Sequence, residues 1–221
     1  MFGALAIKAS GTVMPAAAAT APTVAQAIAI HSVTKAASIS SADGWNTPAA
    51  DSLLLIGLVR SGSGITKPTN WNDALTVNPG TNRNIDWYWK KADGTESTVS
   101  FGAFGAALLE IAGADTMAPI HAAAGIAVSG NGAPFPTLTP TIANTLAIGA
   151  VTWNTTVDGT GATASSGWTV VATVDSAVTF NPFVAAQAQD DSLAAVNGSI
   201  SASQPSVPDG ETTLILIKPA G

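Results

Sequence analysis

Apolar residues along this chain come in short runs, either continuous or alternating with polar ones, and seldom at helical spacing. Ten runs stand out: "AIAIHSV", "LLLIGLV", "NIDWYWKK", "STVSFG", "AALLEIAG", "AAGIAVSG", "NTLAIGAVTW", "GWTVVATV", "FVAAQAQ" and "TTLILIKP". Each is of strand length and is bounded by Gly, Pro, Asn or Asp, the residues that punctuate β-structure. Only Ala106 to Gly113 could pass for a turn or two of helix, and the flanking glycines with Phe101 and Phe104 favour a strand there. The pattern predicts an all-β chain, an antiparallel β-sandwich.

Within "IDWYWKKADGTESTVSF" the Asp93-Gly94 pair tolerates positive φ, which predicts a hairpin between the two flanking runs. Alternation puts Ile85, Trp87 and Trp89 on one face, expected to point inward, and Asp86, Tyr88 and Lys90 on the other. A second regularity is longer in range. "DSLLLIGLVR" at 51–60 is followed by a Gly-rich loop and Trp71, and "NTLAIGAVTWN" at 144–154 by another Gly-rich loop and Trp168. That spacing is too long for a solenoid repeat and predicts two pseudo-equivalent halves, each with a central strand covered on both faces. "TTLILIKP" is a third strand of this kind, and its backbone must pair inside a sheet. One domain over 25–221 is therefore expected, closed by its last strand and preceded by an extended N-terminal arm at 1–24.

Composition adds to this picture. Of the 221 residues 47% are hydrophobic and 10% charged, against a usual charged share of roughly 25%, so Ser, Thr, Asn and Gly wet the surface. The net charge of −6 with eight Lys and Arg in total excludes a nucleic-acid binder, which needs clustered cations. No run approaches the roughly 18 apolar residues that span a bilayer, and no membrane partner is expected. There are no cysteines, hence no disulfides and no thiolate metal sites. The arm is rich in Ala, Gly, Thr and Pro, and Lys8 follows its short apolar run where a signal peptide would place the charge before it. Such a segment cannot order itself alone, and Phe2, Leu5 and Ile7 are its candidate contacts with a partner.

Candidate chemistry is sparse. His31 and His121 have no ligand-spaced companions and read as structural. There is no G-x-S-x-G elbow, and "SGSG", "GNGAP" and "GTGATASSG" lack the Lys and following helix of a phosphate loop. Three glutamates, Glu96, Glu110 and Glu211, spell no carboxylate pair. Asp190 and Asp191 beside Gln187 and Gln189, or Asp158, could offer oxygens to calcium, but no calcium-loop pattern is present; no cofactor is expected and no enzyme. Tryptophan, with six copies, is the residue most open to a binding role. Trp87 and Trp89 would lie about 7 Å apart on one strand face, as core or as a sugar platform. Trp71 and Trp168 are expected to plug the sandwich ends, and Trp45, between Gly44 and Pro48, to be exposed.

These pieces resemble a family of jelly-roll-like β-sandwich domains in bacteriophage structural proteins and some bacterial surface proteins. The carriers are Asp51 to Leu58, Pro68 to Trp71, Trp87 to Lys90, Gly113 to Ile120, Asn144 to Ile148, Gly167 to Trp168 and Leu214 to Pro219. Asn144 stands where the family outline has Asp, and the arm lies outside the match. The resemblance implies a virion structural protein, a capsid decoration, cement or minor structural subunit, whose partners are other virion proteins of a capsid or tail lattice and further copies of itself. The alternative is a carbohydrate-binding or adhesive module of a tail fibre or bacterial surface, which would bind a surface glycan.

Overall fold

The computed structural model describes residues 19–31, 37–61, 64–76, 83–153, 161–174, 183–202 and 209–221. The first half of the chain forms β1 (Thr23–His31), β2 (Ala37–Ser40), β3 (Leu53–Ser61), β4 (Asn72–Leu75), β5 (Arg83–Lys91), β6 (Thr98–Phe101) and β7 (Gly105–Ala112). The second half forms β8 (Ile120–Val128), β9 (Gly132–Pro134), β10 (Thr145–Trp153), β11 (Thr163–Ala164), β12 (Thr169–Val174), β13 (Phe183–Asp190), β14 (Ser199–Ser201) and β15 (Gly210–Ile217). Two five-stranded antiparallel sheets result, ordered β1-β7-β3-β5-β4 and β8-β15-β10-β13-β12. They are the layers of a β-sandwich. It is jelly-roll-like in its two facing antiparallel sheets, and its winding is simple: each half of the chain builds its own sheet.

The two orders are the same order. In each half the first strand pairs with the last, the last with the central strand, and the central strand with the next-to-edge strand. The registers agree as well, since Leu53 faces Ile111 in the first sheet and Leu146 faces Ile217 in the second. Even the irregularities repeat. Ala25 bulges out of β1 opposite Ile111 and Glu110, and His121 bulges out of β8 opposite Ile217 and Leu216. Ala74 in β4 and Val171 in β12 are skipped in the same way, each three residues after Trp71 and Trp168. A bulge bends and twists an edge strand, so matched bulges give the sheets matched curvature. β1 lies against β12 and β4 against β8, the exchange expected of a two-fold relation between the halves.

Burial follows from the doubly apolar strands. Leu53, Leu55 and Val59 of β3 meet Leu146, Ile148 and Ala150 of β10 in the inner core, with Ile215 and Ile217 of β15. The outer sides are covered too. β2 pairs with β6 in a two-stranded layer over the first sheet, where Leu54, Ile56 and Leu58 pack with Ile39, Trp45, Val99 and Phe101. β11-β14-β9 form a three-stranded layer over the second sheet, where Ala147, Val151, Leu214 and Leu216 pack with Ala133, Phe135 and Ile200. At about 1.5–3 kcal/mol per fully buried large side chain, continuous apolar runs are what a strand between two covered faces requires.

Three expectations are corrected here. The hairpin around Asp93-Gly94 does not form: β5 is already flanked by β3 and β4, and β6 leaves it to pair with β2 in the covering layer. The face bearing Asp86 and Tyr88 is not a solvent face, because that layer buries both. Thr23 and Val24, assigned from sequence to the arm, belong to β1, and the chain from Ala19 to Pro22 is bonded to the molecule's own second half, as described below; residues 1–18 lie outside the described residues.

Candidate functional site

Each half has a cleft beside the turn that carries its repeated tryptophan. Trp71 follows Asn70 at φ 65° and Trp168 follows Gly167 at φ 83°, so a left-handed residue turns the chain just before each bulged edge strand. In the first half, Pro68, Thr69 and Trp71 line a cleft of about 240 Å³ with Lys90, Glu96 and Thr98–Ser100. In the second, Ser165 and Ser166 line one of about 510 Å³ with Pro134, Phe135, Thr137 and Asn197–Ser199. Both tryptophans, expected from sequence to plug the sandwich ends, pack in the outer cores. Trp71 is buried in the outer core of the first half. Trp168 packs on Phe135 with ring centroids 4.7 Å apart, and its Nε1 donates to the Asn197 carbonyl at 2.9 Å.

The walls differ in charge. In the smaller cleft Lys90 Nζ reaches Glu96 Oε1 at 2.7 Å and Asp93 Oδ2 at 3.6 Å, while the Glu96 carboxylate accepts backbone N–H bonds from Asp93, Gly94 and Thr95. Burial works to raise the Glu96 pKa, but the hydrogen bond from Lys90 and these backbone donors outweigh it and hold the carboxyl below its usual range. Burial likewise works to lower Lys90, yet Glu96 and Asp93 hold it above its ordinary value. The larger cleft shows only hydroxyl, amide and backbone groups around Pro134 and Phe135.

All three glutamates are spent on the backbone. Glu96 closes the 93–96 turn. Glu110 accepts from Ala49 N at 2.7 Å and from Gln26 Nε2 at 2.7 Å. Glu211 reaches across the sandwich to Ile85 N at 3.2 Å, a stretch of β5 where the short β4 gives no ladder partner. No carboxylate pair faces a cleft among them. Asp190, considered for calcium, accepts from Ser192 N and Oγ in a turn, and Gln189 Nε2 donates to the Pro22 carbonyl at 3.1 Å. Asp158 lies outside the described residues. Among the described residues no three His, Asp or Glu side chains are grouped to hold a metal ion. His121 Nε2 accepts from Thr141 N at 2.9 Å, tying β8 to the loop before β10.

The candidate binding residues separate. Phe2, Leu5 and Ile7 lie outside the described residues. Trp45 is buried, 1% exposed, contrary to the expectation that it is exposed: its Nε1 donates to the Glu96 carbonyl at 3.0 Å, and the ring seals the first covering layer. Trp87 is 0% exposed, with Nε1 donating to Thr213 Oγ1 of the opposite sheet at 2.9 Å; Trp89 is partly buried against the same inner core. They share a face, as read from the alternation, but that face is the interior and forms no sugar platform. What sequence reasoning passed over is the root of the arm. Asn144, itself at φ 59°, donates from Nδ2 to the Ala19 carbonyl at 2.9 Å, and with Gln189 clamps Ala19–Pro22 at one end of the second sheet. The available signal was the echo between Asn144 and Asp51, which also has positive φ, at 66°.

Comparison with protein-family models, with curated proteins and with solved structures finds no match to this chain.

Proposed function

We propose that this chain is a phage virion structural protein, a capsid decoration, cement or minor structural subunit that docks to the particle through its N-terminal arm. The observation that carries this reading is the clamp on Ala19 and Pro22. Two side-chain amides of the second sheet fix where the arm leaves the sandwich. The eighteen residues beyond, with Phe2, Leu5, Ile7 and one cation, Lys8, then start from a set place and direction. Fixing the root lowers the ordering cost of docking, which otherwise runs to about 1–2 kcal/mol of backbone entropy per residue. A scaffold whose three glutamates each accept from its own backbone N–H groups suits a subunit that binds without reacting.

A second reading, a carbohydrate-binding or adhesive module, is favoured by the hydroxyl-lined cleft beside Phe135 and Trp168, where an aromatic wall and neutral donors meet. One pull-down separates the two. Protein lacking residues 1–18 is incubated with assembled particles and with immobilised surface glycan, beside the full chain. Loss of particle binding on arm deletion is the expected result. Unchanged particle binding overturns the docking proposal, and glycan capture insensitive to the deletion moves the weight to the second reading.

A further inference from the structure

The four sheet edges are not protected alike. An edge strand offers unpaired N–H and C=O groups to any passing chain, and folds blunt it with brevity, charge, proline or bulges. β4 is four residues long, bulged at Ala74 and carries Asp73. β12 is bulged at Val171, in its middle. β1 is flanked by the 44–46 loop, where Asn46 N donates to Gln26 Oε1 and Gln26 Nε2 to the Asn46 carbonyl. β8 has none of these beyond the bulge at His121. From Ala122 to Val128 its register is unbroken, without charge or proline, and among the described residues β15 is the only strand laddered to it.

The surroundings of β8 are as unusual as its edge. Between Asp115 and Asp158 the sequence contains no Asp, Glu, Lys or Arg. This interval holds β8, β9, the loop before β10 and β10 itself. It also holds three of the four exposed large apolar side chains among the described residues, Met117, Ile126 and Ile142. We propose that β8 is a self-association edge: two copies of this chain pair β8 with β8 antiparallel about a two-fold axis, joining the two second sheets into one continuous sheet.

A second copy is the occupant that the chemistry selects. An isologous contact brings the same residues together from both sides, so in a chain of net charge −6 it is least opposed where charge is absent. A partner chosen by its own charge would find none on β8 itself; the exposed charged side chain on a strand packed against it is Asp73 of β4. The sequence of β8 is self-complementary in size when the axis passes through Ala124. Ile126 then falls opposite Ala122 of the other copy, His121 opposite Ala127, and Ala123 opposite Gly125, so large meets small across the middle of the strand and only the terminal Ile120 and Val128 pair large with large. The inference does not rest on the arm or on a virion role.

The chain has no cysteine, which makes the register testable in the full-length protein. Directly opposed residues on antiparallel strands have Cβ atoms about 4.5–5.5 Å apart, close to disulfide geometry. Ala124→Cys should therefore form a covalent dimer on mild oxidation, and Thr173→Cys, on the other edge of the same sheet, should not. Ile126→Lys should shift the sedimenting species from dimer to monomer while its thermal midpoint, measured at low concentration, stays within a few degrees of the parent. A parent chain that is monomeric at about 100 μM overturns the proposal. So does equal cross-linking at positions 124 and 173, or an Ile126→Lys chain that remains dimeric. The same sedimentation on protein lacking residues 1–18 keeps the two proposals apart: a persistent dimer supports β8 pairing, and dissociation assigns association to the arm and overturns it.

Discussion

Glu96 shows how a residue that invites a catalytic reading is committed to structure. Its carboxylate is drawn below the usual range because four donors converge on it, three backbone amides and Lys90, against the opposing effect of burial. A carboxyl with a depressed folded pKa contributes stability that is fully present above its unfolded value, about 4.3, and lost as pH falls through the lower folded value. Lys90, held high, contributes below its unfolded value of about 10.4 and loses that contribution only as pH rises past its folded one. Glu96→Gln should therefore cost about 1–2 kcal/mol at pH 7 and flatten part of the stability loss between about pH 5 and pH 3. Asp115, lowered chiefly by the backbone N–H groups of Met117 and Ala118 and by Lys218, keeps the remainder. Urea midpoints at pH 3, 5 and 7 measure both effects, and a variant with the parent's full acid slope would refute the assignment. None of this was readable from sequence, because the partners of a carboxylate in a turn depend on how the chain leaves the sheet. The exposure expected of Trp45 failed for the same reason. A tryptophan between Gly44 and Pro48 has the local signature of a loop, and only the covering layer decides that the loop folds inward.

At the scale of elements, legibility follows the length of the apolar run. Each of the ten runs read as strands coincides with a strand; eight of these strands are eight or nine residues long, and only β12, at six, and β6, at four, are shorter. The strands that were missed, β2, β4, β9, β11 and β14, are two to four residues long, and their pairing is decided by the sheet they cover. The Asp93-Gly94 turn misled because turn chemistry fixes a reversal and not the strand that is paired after it. What locks the elements across the sandwich is also non-local. Trp87 Nε1 donates to Thr213 Oγ1, one bond between sheets from residues 126 apart in sequence. Trp87→Phe should cost about 1–3 kcal/mol, because it leaves the Thr213 hydroxyl buried without its donor. Adding Thr213→Val removes that orphan and should restore part of the loss. A double-mutant cycle by chemical denaturation reads the coupling, and strictly additive losses would show that the bond adds nothing beyond packing.

The whole molecule turns on the relation between its halves. The echo of "DSLLLIGLVR" in "NTLAIGAVTWN" is the sequence trace of a structural duplication. In space it extends to strand order, register, two bulges and the left-handed residues before β3 and β10. Sequence shows only the central strand and the tryptophan of each half, because edge strands and covers tolerate any residue that bends and packs. The halves nonetheless share one inner core. Leu53, Leu55, Ile85, Trp87, Leu109 and Ile111 of the first sheet have as their cover Leu146, Ile148, Ile215 and Ile217 of the second, so separating the halves would expose the inner face of each. At about 1.5–3 kcal/mol per large side chain, that loss exceeds the 5–15 kcal/mol by which a domain is stable. Residues 1–113 and 114–221, produced separately, should each lack a cooperative monomeric unfolding transition. Mixed, they should recover one, with the near-ultraviolet signal of the buried tryptophans. The cut falls in the 113–119 connection, where Asp115 N bonds the Lys218 carbonyl and Lys218 N the Pro119 carbonyl within the second fragment, while the bond from Ala220 N to the Gly113 carbonyl crosses the cut. A cooperative, monomeric transition from either fragment alone would mean that a single sheet with its covering layer is self-sufficient, and that the inner core joins two domains instead of making one.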